Sequence, residues 1–110
     1  MQILIDDKKN IDSGIICRDI ASAKLLFQNM AEQLQDHELL LDHDFGDSRL
    51  LDQEENGCTF LEWARDNQIE LPRKIILVSY NPAGVKNMEA ILQNDLGYIN
   101  THDKFVYETA

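Results

Sequence analysis

Four aspartates stand directly after, or within three residues of, short apolar runs: Asp6 and Asp7 after residues 2–5, Asp42 and Asp44 after residues 39–41. A third apolar run, 75–78, ends in Ser79-Tyr80-Asn81. If the three runs are parallel strands of one sheet, all these polar groups gather at one edge. Carboxylates crowded there repel one another, each pair at ~4 Å costing on the order of 4 kcal/mol at the effective dielectric of a protein surface. The repulsion is relieved by raised pKa values, by splaying into water, or by a hard cation. Mg²⁺ takes oxygen ligands, one or two of them carboxylates, and completes its shell with water and substrate phosphate. The pattern therefore predicts a metal site on Asp6, Asp7 and Asp42, with Asp44 beside it. His43 lies between Asp42 and Asp44; its imidazole suits general acid–base work near neutrality. In an extended segment it faces away from its neighbours. The plainer reading is that aspartate simply marks strand ends and turns.

The elements that must hold these residues are legible in outline. Residues 2–5 and 15–17 read as strands separated by a turn over 10–14, and Asp19 is placed to cap the helix that follows. Ile20, Ala23, Phe27, Met30, Ala31 and Leu34 recur at helical spacing and predict its buried stripe. Residues 39–41 are apolar without alternation, as in a strand buried on both faces. Residues 47–56 read as a polar loop. A second helix carries Phe60, Leu61, Trp63 and Ala64, with Asn56 or Thr59 at its start. The run 75–78 is the strongest strand, and Asn81-Pro82 opens a third helix with Val85, Met88, Ile91 and Leu92 on its buried face and Gly97 ending it. The tail is expected to add one last strand around Phe105, Val106 and Tyr107. Alternating strands and helices imply an α/β fold with a mostly parallel sheet of about five strands and about three helices. Ligands of such sheets bind beyond the carboxyl ends of the strands.

At 110 residues the chain has the size of one domain, and we expect residues 1–110 to form a single unit. Ten Lys and Arg against twenty Asp and Glu leave a net charge of −10, which repels phosphate backbones and argues against generic DNA or RNA binding. It does not oppose a small phosphorylated ligand held through a cation. No apolar run is long enough to span a bilayer, and the start has no signal-peptide character, so a cytoplasmic location and no membrane association are expected. Cys17 and Cys58 have no metal-ligand spacing and read as packed thiols, although Cys58 near a helix start could be acidified. His37 and His102 read as surface residues.

The stretches Leu41-Asp42-His43-Asp44-Phe45-Gly46-Asp47, Asn56-Gly57, Trp63, and Val78-Ser79-Tyr80-Asn81-Pro82-Ala83-Gly84 with Asn87-Met88 form a distinctive series. Together they resemble the cyclic-phosphate processing receiver-like domain, over about residues 3–91. The resemblance implies a receiver-like (flavodoxin-like) three-layer sandwich. It makes Asp6 and Asp7 the acidic pair that holds Mg²⁺, Asp42 the phospho-acceptor position, and Ser79 the hydroxyl that meets the phosphoryl group. His43 and Asp44 are marks of the variant. Two departures are visible. Residues 8–14 are too short for a helix between the first two strands. Lys104 precedes the last strand, whereas a receiver carries its lysine at the carboxyl end of that strand.

Three functions follow. One is a phosphoesterase or phosphotransferase dependent on Mg²⁺ or Mn²⁺ and acting on the cyclic phosphate of a nucleotide or RNA end, a substrate the resemblance alone implies. There Asp42, His43, Asp44 and Ser79 do the chemistry, and Asn81, Lys86 and Asn87 hold phosphate oxygens. The second is a non-catalytic receiver-like switch or nucleotide sensor. The third is an interaction protein with a degenerate site and a protein partner.

Overall fold

The computed structural model describes residues 1–44 and 55–109. Phe45, Gly46, Asp47 and most of the expected 47–56 loop lie outside the described residues. The chain runs β1 (Gln2–Ile5), β2 (Gly14–Cys17), α1 (Ile20–Met30), β3 (Glu38–Leu41), α2 (Gly57–Asp66), β4 (Lys74–Leu77), α3 (Pro82–Ala90), β5 (Tyr98–Asn100) and β6 (Val106–Thr109). A 3₁₀ turn, Glu32–Leu34, follows α1, and a π-helical turn, Ile91–Asp95, extends α3.

These elements make an α/β fold around one six-stranded sheet, in the order β2-β1-β3-β4-β6-β5. The first four strands are parallel, β6 is antiparallel to β4, and β5 is antiparallel to β6. The tail thus supplies a hairpin where a single strand was expected. That changes the place of Lys104. Because β6 runs backwards, its start lies at the carboxyl edge of the parallel strands, where the Leu77 N–H donates to the Phe105 carbonyl at 2.9 Å. Lys104 is therefore at the edge that binds ligands, not the opposite one.

Alternation along the strands divides the sheet. Ile3, Ile5, Leu39, Leu41, Ile75, Leu77 and Tyr107 face one way and join the buried residues of all three helices in one core. Phe27 of α1 meets Phe60 of α2 at 5.8 Å between ring centroids. The right-handed rule puts the β1–β2 connection on the other face, because it steps in the opposite direction across the sheet. Eight residues, 6–13, make that passage without a helix, as their number predicts. On this face Leu4 is buried, while Leu40 and Ile76 are partly exposed. Below the apolar row, Glu38 pairs with Lys74 at 3.0 Å and accepts from Gln2 at 3.4 Å.

Local signals account for most boundaries. The Asp19 side chain caps α1 through the Ser22 N–H at 2.7 Å. Asn56 starts α2, in a reciprocal box with Thr59. Asn81 caps α3, Pro82 occupies its first turn, and Gly97 ends the π-turn at φ +76. Met30 departs from the expected stripe and is 41% exposed, because α1 ends there and the tighter 3₁₀ turn shifts the buried side to Leu34. His37 is half-buried with its Nδ1 enclosed, not a surface residue; His102 is exposed. Among the described residues, no helix is long and apolar enough to cross a membrane.

Candidate metal centre and its surroundings

Register explains why two of the aspartates meet. Ile5 pairs with Leu41 across β1 and β3, so the next residues, Asp6 and Asp42, leave the sheet abreast and on the same face. The ladder continues one step beyond the strands: Asp6 N–H donates to the Cys17 carbonyl at 3.1 Å and Asp42 N–H to that of Ile5 at 3.0 Å. Asp7 joins them as the chain turns. One carboxylate oxygen from each of Asp6, Asp7 and Asp42 lies within 4.8 Å of the others.

The turn after β1 is firmly tied. Asp6 Oδ1 accepts from the N–H groups of Lys8 at 2.9 Å and Lys9 at 3.2 Å. The Arg18 guanidinium donates to the carbonyls of Asp6 at 3.3 Å and Lys9 at 2.6 Å, pinning the turn from the end of β2. Asp6 is 1% exposed, and its Oδ2 is buried without a hydrogen bond. A carboxylate oxygen buried without a hydrogen bond is costly and calls for a cation. Among the described residues the Lys9 ammonium pairs with this oxygen at 3.5 Å; it also donates to the Val78 carbonyl and lies 4.6 Å from the Tyr80 ring centroid.

Asp42 is 8% exposed, and burial is the main cause that raises its pKa, with the Asp6 charge adding to the rise. Hydrogen bonds from the His43 N–H and the Ser79 hydroxyl, with the charge of Lys9, work the other way. An all-oxygen donor set of three carboxylates fits a hard divalent cation such as Mg²⁺ or Mn²⁺.

His43, Asp44 and Asn81 form a second constellation. His43 points to the helix side, opposite to Asp42 as strand alternation dictates, and its Nδ1 lies 2.8 Å from Asp44 Oδ1. The same Asp44 oxygen accepts from Asn81 Nδ2 at 3.2 Å, while Asn81 Oδ1 caps α3 at the Gly84 N–H. These partners hold the Asp44 carboxyl below its usual range, His43 foremost. Asp44 is exposed and is not one of the three clustered carboxylates. Two glycines make room for this strand end. A Cβ on Gly84 would stand 2.4 Å from the His43 ring, and one on Gly57 2.4 Å from the Asp42 carbonyl oxygen.

Ser79 bridges the carboxylates to the rest of the edge: its Oγ accepts from the Asn81 N–H at 3.1 Å and bonds Asp42. Lys86 and Asn87 are exposed on the second turn of α3, and only Lys86 of the two lines the cavity beside Ser79. Cys58 is buried in the core and its thiol is pushed up to about 11, chiefly by burial, so it is not an acidified nucleophile.

Two residues at this edge escaped the sequence reading. Lys9 and Arg18 look like solvated cations in a charged turn, and only a fixed turn after Asp6-Asp7 brings them to the site. The run Asp6-Asp7-Lys8-Lys9 itself was the available signal.

Comparison with curated proteins and with solved structures returned no match. A family model does match: that of the cyclic-phosphate processing receiver domain, over residues 1–94. The match takes in β1 to α3 with every aspartate discussed above, and stops before the β5–β6 hairpin. The chain belongs to the cyclic-phosphate processing receiver domain family.

Proposed function

We propose that the protein processes a phosphorylated ligand, the cyclic phosphate of a nucleotide or RNA end, with a divalent cation held by Asp6, Asp7 and Asp42. The observation that carries this reading is the meeting of three carboxylates around a buried oxygen that lacks a hydrogen bond. When bound, Mg²⁺ or Mn²⁺ would offset the carboxylate charge and polarise the phosphate. The remaining steps belong to the chain itself. Lys9 and the Ser79 hydroxyl stand beside the carboxylates and receive phosphate oxygens. Water adds to phosphorus and one ring P–O bond breaks, the water's proton passing to the leaving ribose oxygen. His43, held by Asp44 at Nδ1 on the helix side of the strand end, supports that edge. Asn81 positions Asp44, and Lys86 and Asn87 attract the anion from α3. We place this activity in the cytoplasm, where the free thiols Cys17 and Cys58 remain reduced.

The test is turnover of a panel of nucleoside and oligoribonucleotide cyclic phosphates with Mg²⁺ or Mn²⁺. The reading expects product, lost on chelation and in Asp42→Asn. Inactivity across the panel, with the folded protein shown to bind the cation, would remove the catalytic role.

A second reading is favoured by one observation: a lysine ammonium does stand at the carboxyl edge, near Asp6 and Asp42. Asp42 would then accept a phosphoryl group, and the domain would act as a regulatory module with a protein partner. Mass spectrometry after exposure to acetyl phosphate separates the two. A phosphoryl group on Asp42 supports the switch; an unmodified Asp42 rejects it.

A further inference from the structure

A cavity of about 540 Å³ opens beside Ser79, between the first turns of α3 and the start of β6. Ser79 belongs both to its wall and to the carboxylate site, where it bonds Asp42, so the two are adjacent. Its other walls combine three features. Tyr80 and Phe105 bring aromatic rings, Val85 an aliphatic surface, and Lys86 and Lys104 two ammonium groups against the one carboxylate of Glu89, which bonds Tyr107. Tyr80 is 91% exposed, with Lys9 against its ring. Lys104 stands 4.8 Å from the Phe105 ring centroid. In a chain of net charge −10, two lysines around an aromatic cavity are a local exception that suits an anion with a flat ring. Another cavity, of about 530 Å³, lies toward the opposite edge around Leu71, Arg73 and Thr109 and shares no residue with the carboxylates.

We infer that the cavity beside Ser79 seats the nucleobase of a nucleotide whose phosphate lies toward Asp42, with Tyr80 and Phe105 stacking on the base and Lys86 and Lys104 flanking the anion. This rests on the phosphate-processing reading and extends it to the base. It also gives the β5–β6 hairpin, outside the family match, a part in substrate choice. The shared chemistry is a base-bearing phosphate, either a free mononucleotide or the last nucleotide of an RNA strand.

The experiment compares affinities, with Mg²⁺ present, for adenosine monophosphate, ribose phosphate and a short oligoadenylate ending in a phosphate. Amide chemical shifts are followed in parallel. Base stacking on an aromatic platform predicts that adenosine monophosphate binds about tenfold or more tightly than ribose phosphate. Shifts should appear at Tyr80, Val85, Lys86 and Phe105, and Tyr80→Ala should bring the ratio close to one. A stronger response to the oligoadenylate identifies an RNA end as the source; a weaker one identifies the free nucleotide. Equal affinities for adenosine monophosphate and ribose phosphate, or shifts confined to Asp6, Asp7 and Asp42, would overturn the inference and leave the phosphate reading standing. No binding of either phosphate would overturn both.

Discussion

Charge is handled in opposite ways at the two ends of the same parallel strands. At the amino ends, Glu38 and Lys74 sit opposite each other on β3 and β4 and pair at 3.0 Å, with Gln2 adding a hydrogen bond. The pairing holds the Glu38 carboxyl below its ordinary range and raises the Lys74 ammonium, the Lys74 hydrogen bond and the Glu38 hydrogen bond being the main causes. At the carboxyl ends, equivalent register brings Asp6 beside Asp42. Like charges meet there, burial pushes Asp42 up, and one oxygen of Asp6 has no hydrogen bond. The first arrangement helps the fold and asks nothing of a ligand. The second costs the fold stability, a condition that persists where function needs it. Charge density alone does not separate the ends; at the first one carboxylate meets one ammonium, and at the second Lys9 is shared between Asp6 and Asp42.

The comparison breaks most sharply at Asp42. Asp42→Asn should lower turnover of a cyclic phosphate by at least about a hundredfold, as loss of a ligand to the cation that polarises the phosphate does. The same change should raise the melting temperature of the metal-free protein at neutral pH. Asp42 has a raised pKa in the folded state, so its contribution to stability is full below the unfolded value of about 4 and is lost as pH rises through the folded value. The gain from Asn must therefore fade on acidification toward about pH 4. A melting series from pH 4 to pH 8, with chelator, reads this directly, and a destabilised Asn variant at neutral pH would count against it.

Next in size is Gly84→Ala. Its new methyl would meet the His43 ring at 2.4 Å, so overpacking should cost roughly 1–3 kcal/mol and displace His43 from Asp44. Denaturant unfolding gives the cost, and the imidazole resonance of His43 reports the displacement. Lys9→Met should follow, weakening phosphate binding by about five- to tenfold while the protein stays folded, since a partly exposed ammonium is exchanged for a side chain of similar length. Calorimetry with inorganic phosphate and Mg²⁺ checks it. The smallest effect belongs to the other end. Glu38→Gln should shift the melting temperature by no more than about 2 °C and leave cation affinity unchanged.

The sequence carried the site further than the layers around it. Asp6, Asp7 and Asp42 were readable because apolar runs in β1 and β3 end abruptly in acid, and strands that pair in register must bring those ends together. The hairpin was not readable: residues 98–100 are a three-residue strand with an exposed Ile99, and nothing local distinguishes it from a turn. Reading one strand there also misplaced Lys104, because the direction of β6 is set by its pairing with β4 rather than by its own residues. Met30 failed for a different reason: it is the last residue of α1, and it stands exposed while Leu34, in the 3₁₀ turn that follows, is buried. Lys9 was hidden because the run Asp6-Asp7-Lys8-Lys9 sets cations beside the acids without fixing which ammonium reaches them.

Calorimetric titration of the metal-free protein with Mn²⁺ addresses the central claim most directly. One ion per chain should bind, with affinity at least about tenfold lower in Asp6→Asn and in Asp42→Asn and unaltered in Glu38→Gln. Absence of binding by the folded wild-type protein, or equal affinity in all four, would contradict the account.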